Sequence, residues 1–312
     1  MMKLIFALAV AISTVVAAFG QSEKIVSLKT ATGEIEGTLM MPEASLPVPV
    51  ALIIAGSGPT DRDGNNPMMK NNSLKMLAAE LAKKGIASLR YDKRGIAASQ
   101  KAGMQESELR FSMYISDAAG WVQLLSENED FSRIVVVGHS EGSLIGMVVA
   151  QDHKVAGFVS VAGAGQSADL VIREQLKDQP PFVLEQSMPI LNELVKGNTV
   201  ENVPQMLFSL FRPSVQPYMI SWFKYDPQVE LRKLRKPVLI VQGTTDIQVH
   251  VEDAKKLEAA KPDAKMVLIE GMNHVLKNAE ADRMKNFQTY NQPDLPLNEN
   301  LVKAIVSFVL DK

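Results

Sequence analysis

The pentapeptide Gly138-His139-Ser140-Glu141-Gly142 stands between a β-branched run, Ile134-Val135-Val136-Val137, and a stretch of helical character from Ser143 to Ala150. A serine hydroxyl is a poor nucleophile unless it is exposed beside a base. A sharp strand-to-helix turn gives that exposure when the residues flanking it are small, as Gly138 and Gly142 are. The chemistry to expect is covalent: attack by the Ser140 hydroxyl on a carbonyl, with a base to take its proton and donors to hold the developing oxyanion.

The chain has four histidines from which to draw the base. His139 lies inside the turn, where its side chain is expected to point away from its neighbour's. His153 sits among Gln151, Asp152 and Lys154 and reads as a solvated helix-end residue, and His250 reads as the start of a helix. His274 ends the segment Leu268-Ile269-Glu270-Gly271-Met272-Asn273-His274, in which Gly271 permits a turn at the carboxyl end of an apolar run. Active sites of open α/β sheets lie at that edge. The acid that would hold His274 in one tautomer is Asp246, which follows the run Val238 to Gln242 through the turn Gly243-Thr244-Thr245 and emerges at the same edge. Asp253 and Asp226 are weaker candidates, and Asp246 could itself be a helix-capping acid. The order Ser140, Asp246, His274 is that of nucleophile, acid and base in one class of hydrolases.

One oxyanion donor is the amide of Glu141, the residue after the nucleophile. The second is expected from Gly56-Ser57-Gly58-Pro59-Thr60-Asp61-Arg62-Asp63-Gly64-Asn65, with the Ser57 amide first and Gly58 as the alternative.

These residues need a scaffold. Residues 24 to 41 alternate about Thr32-Gly33, as an antiparallel hairpin would. From Val48 onward, apolar runs without polar alternation recur at Val50 to Ala55, Ile86 to Tyr91, Ile134 to Val137, Val155 to Val161, Val238 to Val241 and Met266 to Ile269. Such runs suit strands covered on both faces, so an α/β fold with a mostly parallel central sheet flanked by helices is expected. Residues 165–226 contain Pro180-Pro181, Pro189, Pro204, Pro213 and Pro217 among Met, Leu, Phe and charged residues. A structureless loop of that length inside a compact domain is improbable, so they read as an inserted helical cap, with the core formed by 21–164 and 227–312. Met188, Met206, Leu207, Phe208, Phe211, Met219, Trp222 and Phe223 could line an apolar pocket there, although helical spacing of apolar residues also describes plain core.

Met1 to Gly20 has Lys3, an apolar stretch from Leu4 to Val16 and the small-residue pattern Ala18-Phe19-Gly20, which reads as a cleaved secretory signal. The expected mature protein is exported, periplasmic or secreted, with no membrane span. The 33 basic and 35 acidic side chains give no electrostatic footprint for nucleic acid. The chain has no cysteine, which excludes disulfides, thiolate catalysis, Cys-ligated metals and a lipid-modified cysteine.

Together with Tyr91-Asp92-Lys93-Arg94-Gly95, the motifs Gly56 to Gly64, Gly138 to Gly142, Gly243 to Asp246 and Gly271 to His274 span nearly the whole mature chain. By these motifs it resembles the α/β-hydrolase-fold serine esterases, in a bacterial exported branch similar to the serine aminopeptidase and lysophospholipase-like hydrolases. Two departures stand out: Ala55-Gly56 replaces a frequent His-Gly pair, and Ile96-Ala97-Ala98-Ser99 replaces a longer glycine pattern. The first leaves the second oxyanion donor open by one residue, and Arg94 reads as a structural ion-pair former. The resemblance implies a serine carboxylic ester hydrolase working through an acyl-enzyme, with a small-molecule ester substrate and no metal or organic cofactor. A serine aminopeptidase or acylaminoacyl peptidase would use the same triad, with Glu174, Glu185 or Glu193 available to a substrate ammonium. A non-catalytic binding protein would keep the fold alone. The sequence does not specify an oligomeric state.

Overall fold

The computed structural model describes residues 21–177 and 179–311. The leader expected over Met1 to Gly20 lies outside them. A hairpin opens the described chain, β1 (Ser22–Thr30) and β2 (Gly33–Met41), followed by β3 (Val48–Ile54), α1 (Ser73–Ala82), β4 (Ala87–Tyr91) and α2 (Phe111–Ser126). Next come β5 (Phe131–His139), α3 (Glu141–Val149) and β6 (Val155–Val161). Five helices separate β6 from the next strand: α4 (Ala168–Lys177), α5 (Pro181–Lys196), α6 (Phe208–Phe211), α7 (Gln216–Trp222) and α8 (Pro227–Arg232). The chain continues through β7 (Val238–Gly243), α9 (Val251–Ala260), β8 (Lys265–Ile269), α10 (Arg283–Gln288) and α11 (Glu299–Leu310).

The eight strands form one sheet in the order β1-β2-β4-β3-β5-β6-β7-β8. β2 pairs antiparallel with β1 and β4, and every pairing from β4 to β8 is parallel. The apolar runs are central strands because both faces are covered. Val50, Leu52 and Ile54 of β3 and Ile134 and Val136 of β5 face a core shared with Trp121, Val122, Ile145 and Leu257 of α2, α3 and α9. The alternate residues Ala51, Ile53, Val135 and Val137 face Leu77 and Leu81 of α1 and Leu301 and Ile305 of α11. With side chains alternating along each strand, a run apolar throughout is what two covered faces require.

The segment between β6 and α8 has a small core of its own, in which Ile172 and Leu176 of α4 meet Ile190, Leu191 and Leu194 of α5, Leu207, Phe211 and Met219. α8 belongs to the main body: Leu231 packs in the core of the sheet face that carries α2 and α3. Its first turn is capped by Asp226, whose carboxylate accepts from the amides of Gln228 and Val229. Among the described residues, no helix is long and apolar enough to cross a membrane.

Candidate active site

β5 ends at His139 and α3 begins at Glu141, which leaves Ser140 alone to make the turn. Its backbone stands at φ 54° and ψ −122°, a conformation that L side chains rarely adopt. Such strain persists only where the surroundings over-determine it. Here the Ser140 amide donates to the Val161 carbonyl at 3.0 Å, and the Ser140 carbonyl accepts from the Ser143 amide at 2.9 Å. The flanking glycines are required by space. A Cβ on Gly138 would lie 2.3 Å from the Gly142 carbonyl oxygen, and one on Gly142 would lie 2.3 Å from that of Ile54.

Asp246 and His274 arrive on the loops after β7 and β8. His274 Nδ1 lies 2.8 Å from Asp246 Oδ2, and both residues are buried. The other carboxylate oxygen accepts from the amides of Gln248 at 2.8 Å and Val249 at 3.0 Å, so the acid cannot rotate away. Burial pushes the Asp246 carboxyl up, but the adjacent His274 and the two amides outweigh it and hold it below the usual carboxylate range. The two loops are stitched together: the Thr245 amide donates to the Met272 carbonyl, and the Gly271 amide to the Thr244 hydroxyl. Their approach depends on Gly243, where a Cβ would fall 1.9 Å from the Met272 carbonyl oxygen. Asn273 is fully buried and anchors the His274 loop, its amide group donating to the Thr289 hydroxyl at 2.7 Å.

The remaining candidates have structural places. His153 is exposed beside Asp152. His250 caps α9 in a capping box with Asp253, which also accepts from the Gly165 amide. His139 packs beside His274. Its ring lies 4.9 Å from that of His274, and its Nε2–H donates to the His274 carbonyl at 2.9 Å. Burial, then the neighbouring imidazole, lower the His139 pKa to about 4, so at neutral pH it is an uncharged strut beside His274.

The loop after β3 runs beside Ser140: a Cβ on Gly56 would lie 3.1 Å from Ser140 Cβ. Ser57 borders the same cavities as Ser140, whereas Gly58, at φ 70°, borders neither and has open space where a Cβ would stand. Three successive charges after β4 tie this region down. Asp92 accepts from the Arg62 amide and pairs with its guanidinium at 2.6 Å. Lys93 Nζ donates to the Gly56 carbonyl at 2.6 Å and lies 3.4 Å from Glu141 Oε1. Arg94 makes a two-pronged pair with Asp117 of α2, as its structural reading required. Glu141 Oε2 accepts from the Tyr218 hydroxyl on α7 at 2.8 Å. Sequence reasoning missed Lys93 and Tyr218; the available signal was a lysine two residues past the end of β4, between two other charges.

Two cavities meet at Ser140. One, of about 140 Å³, contains Ser140 and His274 together with Gly56, Ser57 and Tyr290. The other, of about 230 Å³, runs from Ser140 and Glu141 beneath the inserted segment, where Leu144, Val171, Ile172, Leu210 and Trp222 give it apolar walls. Of the apolar residues singled out in the sequence for a pocket, Trp222 alone borders this cavity. Leu207, Phe211 and Met219 are core of the inserted segment, and Met206 and Phe208 are exposed. The acids considered for a substrate ammonium lie elsewhere. Glu174 and Glu193 pair with Lys177 and Lys196, Glu185 is exposed, and none borders either cavity at Ser140.

A family model described as "Serine aminopeptidase, S33" matches residues 70–235, more than half of the chain. The chain belongs to this family. The matched span includes Ser140, Lys93 and Glu141, while Ser57, Asp246 and His274 fall outside it. Esterase EstD of Thermotoga maritima is 29% identical over 251 residues, covering 78% of this chain and 58% of that esterase. The chain thus spans a little over half the length of that relative. Among solved structures, Est1E from Butyrivibrio proteoclasticus superposes with a TM-score of 0.60 at 18% identity, over 92% of this chain and 99% of that one. Dipeptidyl peptidase 4 of Porphyromonas gingivalis gives 0.59 at 14% identity, over 94% of this chain and 36% of that one. These likenesses identify the architecture as the α/β-hydrolase fold.

Proposed function

We propose that the protein is a serine carboxylic ester hydrolase acting on small or medium apolar acyl esters. In this mechanism His274 takes the proton of Ser140, and the oxygen attacks the ester carbonyl. The amides of Ser57 and Glu141 hold the tetrahedral oxyanion, and the alcohol leaves with the proton returned by His274. Water, deprotonated by the same imidazole, then hydrolyses the acyl-enzyme. Asp246 keeps the proton of the resting imidazole on Nδ1 and stabilises the imidazolium.

The observation that carries this reading is the convergence of a strained Ser140 and a carboxylate-bound His274 on one cavity. The choice of ester over aminoacyl amide rests on charge. Glu141 is the one carboxylate bordering either Ser140 cavity among the described residues, and both its oxygens are engaged, by Lys93 and Tyr218. A substrate ammonium would find no unpaired anion there, whereas an apolar acyl chain would replace water along Leu144, Val171 and Leu210. The names of EstD and Est1E agree with this preference. The test compares kcat/KM for 4-nitrophenyl esters with that for an aminoacyl 4-nitroanilide. Preference for the esters is expected, and preference for the anilide would move the protein to the peptidases.

Export through cleavage after Gly20 is part of the same proposal. The mature N-terminus of protein recovered from the native host should begin at Gln21, and an intact leader would overturn it.

A further inference from the structure

Lys93 is the least expected residue near the nucleophile. It is 1% exposed, and a lysine is almost never fully buried unless paired. Its ammonium is fully engaged: it donates to the Gly56 carbonyl at 2.6 Å, faces Glu141 Oε1 at 3.4 Å, and sits 5.2 Å from the centre of the Tyr114 ring. An ammonium so placed is turned toward protein groups and away from solvent. A buried ion pair is also a weak device for stability, because desolvating two charges offsets most of their attraction.

Its partners have one property in common. The Gly56 carbonyl belongs to the peptide unit whose N–H is that of Ser57. The unit is trans, so the carbonyl and the N–H point to opposite sides of a rigid plane. Pulling the carbonyl toward Lys93 turns the Ser57 N–H the other way, and the Gly56 backbone abuts Ser140. The second contact of Lys93 is the side chain of Glu141, whose amide is the other oxyanion donor. Glu141 is held from above by the Tyr218 hydroxyl on α7, within the inserted segment.

We propose that Lys93 is a positioning residue for the oxyanion hole: one buried ammonium fixes the Ser57 peptide plane through the Gly56 carbonyl and holds Glu141, with Tyr218 extending the link to the inserted helices. This inference rests on the ester-hydrolase reading. Its consequence is differential. Loosening the donors weakens the tetrahedral state, where the oxygen carries charge, and leaves ground-state binding in the apolar cavity unchanged.

The test is the double variant Lys93→Met/Glu141→Gln, which removes both buried charges together and keeps the Glu141 backbone amide. Two readouts are taken: 4-nitrophenyl butyrate kinetics, and inhibition by an alkyl trifluoromethyl ketone. Ser140 Oγ adds to the ketone carbon, its proton passes to His274, and the former carbonyl oxygen becomes the oxyanion. Deleting a whole oxyanion donor lowers kcat by about 10²–10³-fold, so misaligning one should lower it by about 10–100-fold. The ketone affinity should fall by a similar factor, with KM changed by less than about threefold. A folded double variant with kcat and ketone affinity unchanged would overturn the inference and leave the ester-hydrolase reading intact. Should the double variant fail to fold, Tyr218→Phe decides. It is expected to lower kcat and ketone affinity together by a few-fold, and no change in either overturns the proposal. Absence of both ester turnover and ketone inhibition in the unaltered protein refutes the ester-hydrolase reading, and this inference with it.

Discussion

Replacing Asp246 with asparagine changes one atom of the site, and the surrounding hydrogen bonds dictate how the new side chain must sit. Oδ1 of Asp246 accepts from the amides of Gln248 and Val249, which can only donate, so the oxygen of the new amide is pinned to that side. Its NH₂ group then occupies the position of Oδ2, where it gives up the longer bond from Gln242 Nε2 at 3.2 Å and faces His274 Nδ1, 2.8 Å away in the native pair. A donor there requires Nδ1 to accept, which moves the ring proton to Nε2, the nitrogen that must take the proton of Ser140. The wrong tautomer lowers kcat by about 10⁴-fold where such triads operate, equivalent to about 5.5 kcal/mol of transition-state stabilisation. Because the contacts to Gln248 and Val249 survive, Asp246→Asn should fold and bind ester with little change in KM. The assay is 4-nitrophenyl butyrate hydrolysis near pH 7.5, with circular dichroism to establish folding. A folded Asp246→Asn protein retaining more than about a tenth of native kcat would refute the assignment of Asp246 as the acid that sets the tautomer.

Two further outcomes follow from the same geometry. Val171 borders the apolar cavity and is only partly buried, so Val171→Phe should shorten the preferred acyl chain without collapsing the core. Each excluded methylene should lower kcat/KM by about tenfold or more, read from an ester series from acetate to decanoate; an unchanged profile would place the acyl chain elsewhere. His139 has a pKa lowered to about 4 by burial and by His274, so its contribution to stability is complete above the ordinary value of 6.5 and is lost as pH falls toward 4. Thermal unfolding of the native protein should therefore lose ground against His139→Gln between pH 6.5 and 4, and parallel curves across that window would contradict the neutral-strut role.

The parts of the fold visible in the sequence were those where one physical constraint dominates. A strand with helices on both faces must be apolar throughout, and β3, β5, β6 and β7 are readable for that reason. The turn at Ser140 was legible because it demands small neighbours on both sides, and the meeting of Asp246 with His274 because each follows such a strand at the same sheet edge. Lys93 could not be placed from its type, because a charge at a strand end reads as solvent-facing until the Gly56 loop and Glu141 are seen to close over it. The walls of the apolar cavity were misread for a related cause. Phe211 and Met219 face the inserted segment's own core, and only the packing of α4 against α5 determines that Val171 and Ile172 meet the cavity instead.

The central claim, that Ser140 is a nucleophile activated by His274, is tested most directly by labelling with a fluorophosphonate and locating the adduct by peptide mass spectrometry. The account predicts a single adduct on Ser140, none in Ser140→Ala, and labelling slowed by several orders of magnitude in His274→Ala. No adduct on Ser140 in the native protein, or equal labelling rates with and without His274, would contradict it.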